Sequence, residues 1–249
     1  MTRRFLAIAF CIISLGLSAQ AQESQSMSET ERAAFRAEVR AYLLDNPEVI
    51  MEAVAVLEQR QSEQQAQGDV AMIKDNETAL FNDGVSWVGG NPDGDITLVE
   101  FLDYRCGYCR QAFEEVKELV ESDGNIRFVI KEFPILGEAS TLSSRFAVAV
   151  LQVSGDEAYK NMHDALMVFD GEFNETSLSR LAVTFGLDAE AILEQMDSDE
   201  VTQVIAANHA LARQMQISGT PTFVFGDQML RGYVPLEAMQ QVASEVRAQ

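Results

Sequence analysis

Apolar positions recur at helical spacing near the start of the chain and close up into a strand-like run near its middle. From Ser28 to Asp45 they fall at Phe35, Val39, Tyr42 and Leu43, a helical period. Asn46-Pro47 interrupts the stripe as a cap and first-turn proline, and Val49, Ile50, Ala53, Val54 and Leu57 resume it. This pattern predicts two consecutive helices. Gln59 to Asp69 is polar and Gln-rich, suited either to a helix continued as a solvated rod or to a linker. Val70 to Val88 predicts a short helix and a first strand, ending at the turn 89–94. Ile96, Leu98, Val99, Phe101 and Leu102 then form a nearly continuous apolar run, expected of a central strand covered on both faces.

Beyond that run, Phe113, Val116, Leu119 and Val120 give a helix its inner face, and Asn125 to Lys131 predicts the next strand. From Glu138 to Asn208 the period is helical throughout, with five stripes centred on Phe146, Met162, Leu181, Leu193 and Ile205. These stripes, including Met162, Met167 and Met196, are read as core, and His163 and His209 as ordinary helix-surface residues. Thr222–Phe225 and Gln228–Arg231 predict a hairpin across Gly226-Asp227, and Pro235 the start of a last helix carrying Leu236, Met239 and Val242.

Composition narrows the function more than the fold. With 249 residues, 47% of them hydrophobic and 23% charged, the chain can bury a full core. A formal charge of -21 and the lack of any basic run argue against a nucleic-acid partner. Residues 1–21 combine Arg3 and Arg4, an apolar run from Phe5 to Leu17 and Ala19-Gln20-Ala21, the pattern of a secretory signal cleaved after Ala21. Cys11 is expected to leave with that segment. Two cysteines then remain, Cys106 and Cys109, in an exported, periplasmic chain where disulfides persist. The mature chain divides into a helical arm over 22–69 and a domain over 70–249.

The candidate chemistry lies where the apolar strand gives way to a helix, at Cys106-Gly107-Tyr108-Cys109. A thiol at the exposed start of a helix gains a close partner sulfur and the positive end of the helix dipole, both of which favour thiolate. Cys106 is placed to attack a disulfide and Cys109, one turn further in, to resolve the mixed disulfide. A zinc site is not supported, because the chain has no second CxxC and its two histidines stand apart. Glu100 breaks the apolar run six residues before Cys106. It is either a proton acceptor near Cys109 or a strand residue turned to an edge or to water. In Gly219-Thr220-Pro221-Thr222, a proline heading a strand suits a tight turn with a cis peptide, leaving the Thr220 backbone open to an extended substrate.

A strand running into CGYC, then a helix, a strand, a helical insertion, GTPTF, a hairpin and a final helix together resemble the thioredoxin-fold DsbA family, over roughly Thr78 to Gln249. The resemblance implies an α/β thioredoxin fold with an inserted helical subdomain over about 138–208. It also implies that Cys106 is the nucleophile, Cys109 the resolving thiol and Glu100 the buried acid, with Pro221 the cis-proline and Thr220 its partner in substrate contact. Strongly oxidising members carry Pro-His between the cysteines. Gly107-Tyr108 here resembles the DsbC type of isomerase, so a less stabilised Cys106 thiolate and a less oxidising couple are expected.

With its N-terminal arm the chain is similar to ScsC-like oligomeric members, which the family associates with disulfide shuffling and copper tolerance. The expected function is thus a periplasmic thiol-disulfide oxidoreductase, acting mainly as isomerase or reductase on exported clients, without a cofactor. Gly107, Tyr108, Thr220 and Pro221 would contact the client. A homo-oligomer through the arm would hold several sites around one client. The alternatives are a DsbA-type oxidase reoxidised by a membrane partner, and a copper-binding or chaperone-like protein using the same thiols as soft ligands.

Overall fold

A computed structural model describes residues 27–248. The expected signal segment and Cys11 lie outside the described residues. The chain forms two compact units that divide between Glu58 and Gln59.

The first unit holds α1 (Glu29–Asp45) and the opening of α2 (Glu48–Asp75). Ser28 caps α1 through a reciprocal pair: its hydroxyl accepts from the Glu31 amide, and the Glu31 carboxylate accepts from the Ser28 amide. Asn46-Pro47 separates the two helices, as the break in the stripe predicts. Phe35, Tyr42, Leu44, Ile50, Met51 and Leu57 are all more than half exposed. The Gln-rich stretch is helix, since α2 continues to Asp75.

The second unit is built on a five-stranded sheet. After α3 (Glu77–Phe81) come β1 (Val88–Gly90), β2 (Ile96–Leu102), α4 (Gly107–Asp123) and β3 (Ile126–Glu132). Four helices follow: α5 (Glu138–Val168), α6 (Glu175–Thr184), α7 (Ala189–Met196) and α8 (Asp199–Gln214). The hairpin β4 (Thr222–Phe225) and β5 (Gln228–Arg231) and the last helix α9 (Leu236–Arg247) complete it. Strand order is β1-β3-β2-β4-β5, with β2 and β3 parallel and every other pairing antiparallel. The fold is the thioredoxin-like α/β arrangement with a helical insertion between β3 and β4.

Both faces of the sheet are covered, which accounts for the unbroken apolar run of β2. Leu98 and Leu102 join Phe128, Ile130, Phe223 and Phe225 in a core under α4 to α9. Val99 and Phe101 point the other way, into a second core with Ile73, Leu80, Leu211 and Met215. Strand alternation therefore puts Glu100 and Glu132 on the first face and Lys131 on the second. Lys131 is fully buried, and its ammonium donates to the Ala79 carbonyl and the Asp83 carboxylate, each at 2.7 Å.

The first two stripes of the insertion lie in α5, on either side of a non-helical break. In α5 the backbone turns at Gly155, whose φ of 82° lies in the left-handed region that favours glycine. At the turn before β2, a side chain on Gly94 would meet the Asn125 carbonyl oxygen at 2.5 Å, so only glycine lets the two strand ends approach.

Candidate active site

The parallel pair β2 and β3 aims its C-terminal ends at one edge of the domain, and β2 runs through Asp103-Tyr104-Arg105 into Cys106. Asp103 ties this loop down from a buried position. One of its carboxylate oxygens accepts from the Arg105 amide at 2.8 Å, and the other from the amides of Ile135 and Leu136 at 2.8 and 3.1 Å. Cys106 is the N-cap of α4 and its amide donates to the Asp103 carbonyl at 2.9 Å. The bend thus delivers Cys106 to the positive end of a 17-residue helix.

Cys106 is only 7% exposed, so the expected open position at the helix start is not what the fold provides. The covering group comes from the far end of the sequence. The peptide Thr220-Pro221 is cis, and the Cys106 thiol donates to the Thr220 carbonyl oxygen at 3.1 Å. That loop is itself fixed, with the Thr222 hydroxyl donating to the Gly219 carbonyl at 2.9 Å and the Gly232 amide to the Pro221 carbonyl at 2.9 Å. Tyr108, between the cysteines, is 63% exposed at the mouth.

The two thiols are free, and their environments push them apart. A hydrogen bond from the Cys109 thiol pulls Cys106 down to about 5, against the opposing effect of burial. The Thr220 side chain and the amides of Cys109 and Tyr108 help. Cys109 is fully buried and moves far upward, through burial, the Cys106 hydrogen bond and the charge of Glu100. Of the two sulfurs, Cys106 is thus the one that ionises and Cys109 the one that keeps its proton. Thiol and amide donors lower Cys106 here without a histidine between the cysteines.

Glu100 is buried, not turned to an edge or to water. One of its carboxyl oxygens has no hydrogen-bond partner, and burial, then the charges of Glu132 and Cys106, raise its pKa to about 8. The structure thus brings Cys106, Cys109, Glu100, Thr220, Pro221, Gly107 and Tyr108 to one end of the sheet.

Sequence reasoning missed a second buried polar group beside them. Glu132 accepts from the hydroxyls of Tyr104 and Tyr159, both at 2.7 Å, on one carboxylate oxygen. His163, read as a surface residue, is buried, with its Nδ1 3.2 Å from the Tyr104 hydroxyl. Burial brings His163 down to about 3, so the ring is neutral. Among the described residues no cluster of three or more His, Cys, Asp or Glu side chains is placed to hold a metal ion.

Residues 97–243, more than half of the chain, match the model of the DSBA-like thioredoxin domain. The chain belongs to the DSBA-like thioredoxin domain family. Members of this DsbA-like family are thiol-disulfide oxidoreductases. Residues 31–64 match a second model, the N-terminal domain of the copper resistance protein ScsC. Among solved structures, a thioredoxin-like oxidoreductase from Silicibacter pomeroyi is 43% identical, with a TM-score of 0.66 over 70% of this chain and 99% of that one. Proteus mirabilis ScsC in a transitional conformation is 27% identical, with a TM-score of 0.64 over 88% and 96% of the two chains. The Na(+)/H(+) antiporter NhaA 1 of Salinispora arenicola is 29% identical over 162 residues, 65% of this chain. The DsbA-like chain spans about a quarter (24%) of that relative's length.

Proposed function

We propose that this protein is an exported thiol-disulfide isomerase and reductase whose arm assembles several copies. The Cys106 thiolate attacks a client disulfide, forming a client–Cys106 disulfide and releasing a client thiolate. Either a client thiol then attacks that bond, leaving a rearranged client, or Cys109 attacks it, forming the Cys106–Cys109 disulfide and freeing the second client sulfur. In the second route the Cys109 proton passes to Glu100, buried nearby with a free carboxylate oxygen. The Thr220 backbone, Pro221, Gly107 and Tyr108 hold the client strand over the sulfurs.

The observation that carries the isomerase reading is the pairing of this dithiol with an ScsC-type arm. Its large apolar side chains, Phe35, Tyr42 and Leu57 among them, are exposed in the single chain. A second copy of the same arm would cover them, and tethered sites make the second engagement of a client intramolecular. Residues 1–21 support export, and among the described residues no helix is long and apolar enough to cross a membrane.

A second reading, a disulfide donor reoxidised by a membrane partner, is favoured by the place of Cys106 at the N-cap of α4 beside the Cys109 thiol. A Cys106 thiolate held down to about 5 stabilises the reduced protein and so makes its disulfide more oxidising. Two assays on one sample separate the readings: reactivation of scrambled ribonuclease in glutathione buffer, and oxidation of a reduced dithiol peptide. Cys106-dependent reactivation supports the isomerase. Rapid peptide oxidation without reactivation supports the oxidase.

A further inference from the structure

Glu100 and Glu132 lie on the same face of adjacent parallel strands. In the β2–β3 register Glu100 stands opposite Ile130 and Leu102 opposite Glu132, so the two carboxyls are diagonal neighbours. Both are about 3% exposed, and each keeps one carboxylate oxygen without a hydrogen-bond partner. Two buried carboxylates so placed cannot both ionise readily, and a proton on one eases ionisation of the other.

Burial disfavours a charge on Glu132, and hydrogen bonds partly offset that cost. Tyr104 arrives from the loop before Cys106 and Tyr159 from α5, and both donate to the same oxygen. The neutral ring of His163 sets its Nδ1 3.2 Å from the Tyr104 oxygen and holds that hydroxyl in place. The charge of Asp103 works against ionisation. From α8, Asn208 donates to the Glu132 backbone carbonyl at 3.0 Å and fixes the strand end. No cation is among these groups. Burial outweighs the tyrosines and Glu132 rises to about 7, next to Glu100 at about 8.

Glu100 faces the cysteines of α4 on one side. On the other it lines a cavity of about 200 Å³ with Phe113 and His163, and with the charged Lys117, Glu121, Lys160 and Asp164. Lys160 and Asp164 are paired and partly exposed, giving Glu100 charged neighbours that reach solvent.

We propose that Glu132, clamped by the hydroxyls of Tyr104 and Tyr159, is a positioning residue that sets how readily Glu100 takes the proton of Cys109. This rests on the reading of Glu100 as the acceptor. In the resolving step the Cys109 sulfur bonds to Cys106, the bond from Cys106 to the client sulfur breaks with its electrons going to the client, and the Cys109 proton passes to Glu100. Glu132 takes no proton from a thiol. Its negative charge makes Glu100 a stronger base but a scarcer one at neutral pH.

The test is stopped-flow reaction of the reduced protein with one equivalent of 5,5′-dithiobis(2-nitrobenzoate). Attack by Cys106 releases one coloured thiolate, and resolution by Cys109 releases the second. Followed against pH, the second phase of the wild type should rise with a midpoint set by Glu100, and Glu100→Gln should remove that rise. Glu132→Gln keeps an acceptor for the tyrosines and removes the charge. It should move the midpoint down by about one unit, raising the resolution rate roughly five-fold at pH 7 where a weakly ionised base limits it. Tyr159→Phe makes Glu132 easier to protonate and should shift the midpoint the same way by less. In the Glu100→Gln background, Glu132→Gln should change nothing in this profile. An unmoved midpoint in both Glu132→Gln and Tyr159→Phe, with Glu100→Gln still removing the rise, overturns the role of Glu132 and leaves Glu100 as acceptor. Persistence of the rise in Glu100→Gln overturns the acceptor reading and this one with it. Equal displacement of both phases marks general damage to the site and also overturns it.

Discussion

The Cys106 sulfur lies 3.1 Å from the carbonyl oxygen of Thr220, joining residues 114 apart in the chain. This contact closes the site from the β4 side and explains why Cys106 is nearly buried although it begins a helix. A client strand must therefore enter beside Thr220, where a backbone carbonyl and the attacking sulfur already meet.

Removing the Cys109 thiol should weaken the Cys106 thiolate more than any other single change at the site, because that hydrogen bond is the largest influence lowering it. Cys109→Ala should raise the Cys106 titration midpoint from about 5 by about one to two units, and Thr220→Val by less. The ultraviolet absorbance of the thiolate against pH reports both. A larger effect from Thr220→Val would reverse this order of causes.

The depressed Cys106 group gives the reduced fold a stability that depends on pH. Its folded value, about 5, lies below the roughly 8.5 of an unperturbed thiol. The contribution is complete above the unfolded value, declines as pH falls between the two, and is lost below the folded value. Glu100 runs the other way, its neutral form being favoured up to about 8; burial and Glu132, the larger causes, persist in Cys106→Ser, and loss of the Cys106 charge only reduces the difference between the two proteins. Urea unfolding under reducing conditions should thus show the wild type gaining over Cys106→Ser at pH 9, with the gap narrowing towards pH 5.

The buried ion pair on the opposite face of the sheet should respond unequally to its two deletions. Lys131 is wholly enclosed, whereas the Asp83 side chain is 20% exposed. Asp83→Ala strands an ammonium with only the Ala79 carbonyl and should cost about 3 kcal/mol. Lys131→Met leaves a carboxylate that reaches water and keeps its bonds to Ser86, so it should cost less. Denaturant midpoints of the two variants decide the order.

Deleting residues 23–67 removes the exposed apolar arm and stops before Asp69, whose carboxylate pairs twice with Arg231 of β5 at 2.7 Å. The shortened chain should be monomeric in sedimentation, retain dithiol chemistry and lose ribonuclease reactivation. Unchanged mass and unchanged reactivation would leave the arm without a part in isomerisation.

Much of this site is legible in the chain because its signals are local. The apolar run of β2, the CxxC at the strand–helix junction and the proline heading β4 each carry their own physical reason. Glu100 stands out as a charge inside that run, yet only the covering of both sheet faces decides between acid and edge residue. Glu132 ends β3 at the same alternation as Phe128 and Ile130, a parity that marks it as inward-facing. His163 follows Tyr159 by one helical turn on the inner stripe of α5. Neither signal is sufficient alone, because the groups that satisfy them, Tyr104 and the far side of α5, arrive through tertiary packing. The burial of Cys106 depends on Thr220 in the same way. The change from the first stripe of the insertion to the second coincides with the non-helical backbone of Gly155 inside α5.

The division of labour between the two sulfurs is tested most directly by trapping. Cys109→Ser and Cys106→Ser variants, each incubated reduced with a disulfide-bonded client and quenched by alkylation, are compared by mass spectrometry. A stable client adduct through Cys106 is expected in Cys109→Ser and none in Cys106→Ser. An adduct through Cys109 in Cys106→Ser of equal yield, or no adduct in either, would contradict the assignment of Cys106 as nucleophile and Cys109 as resolving thiol.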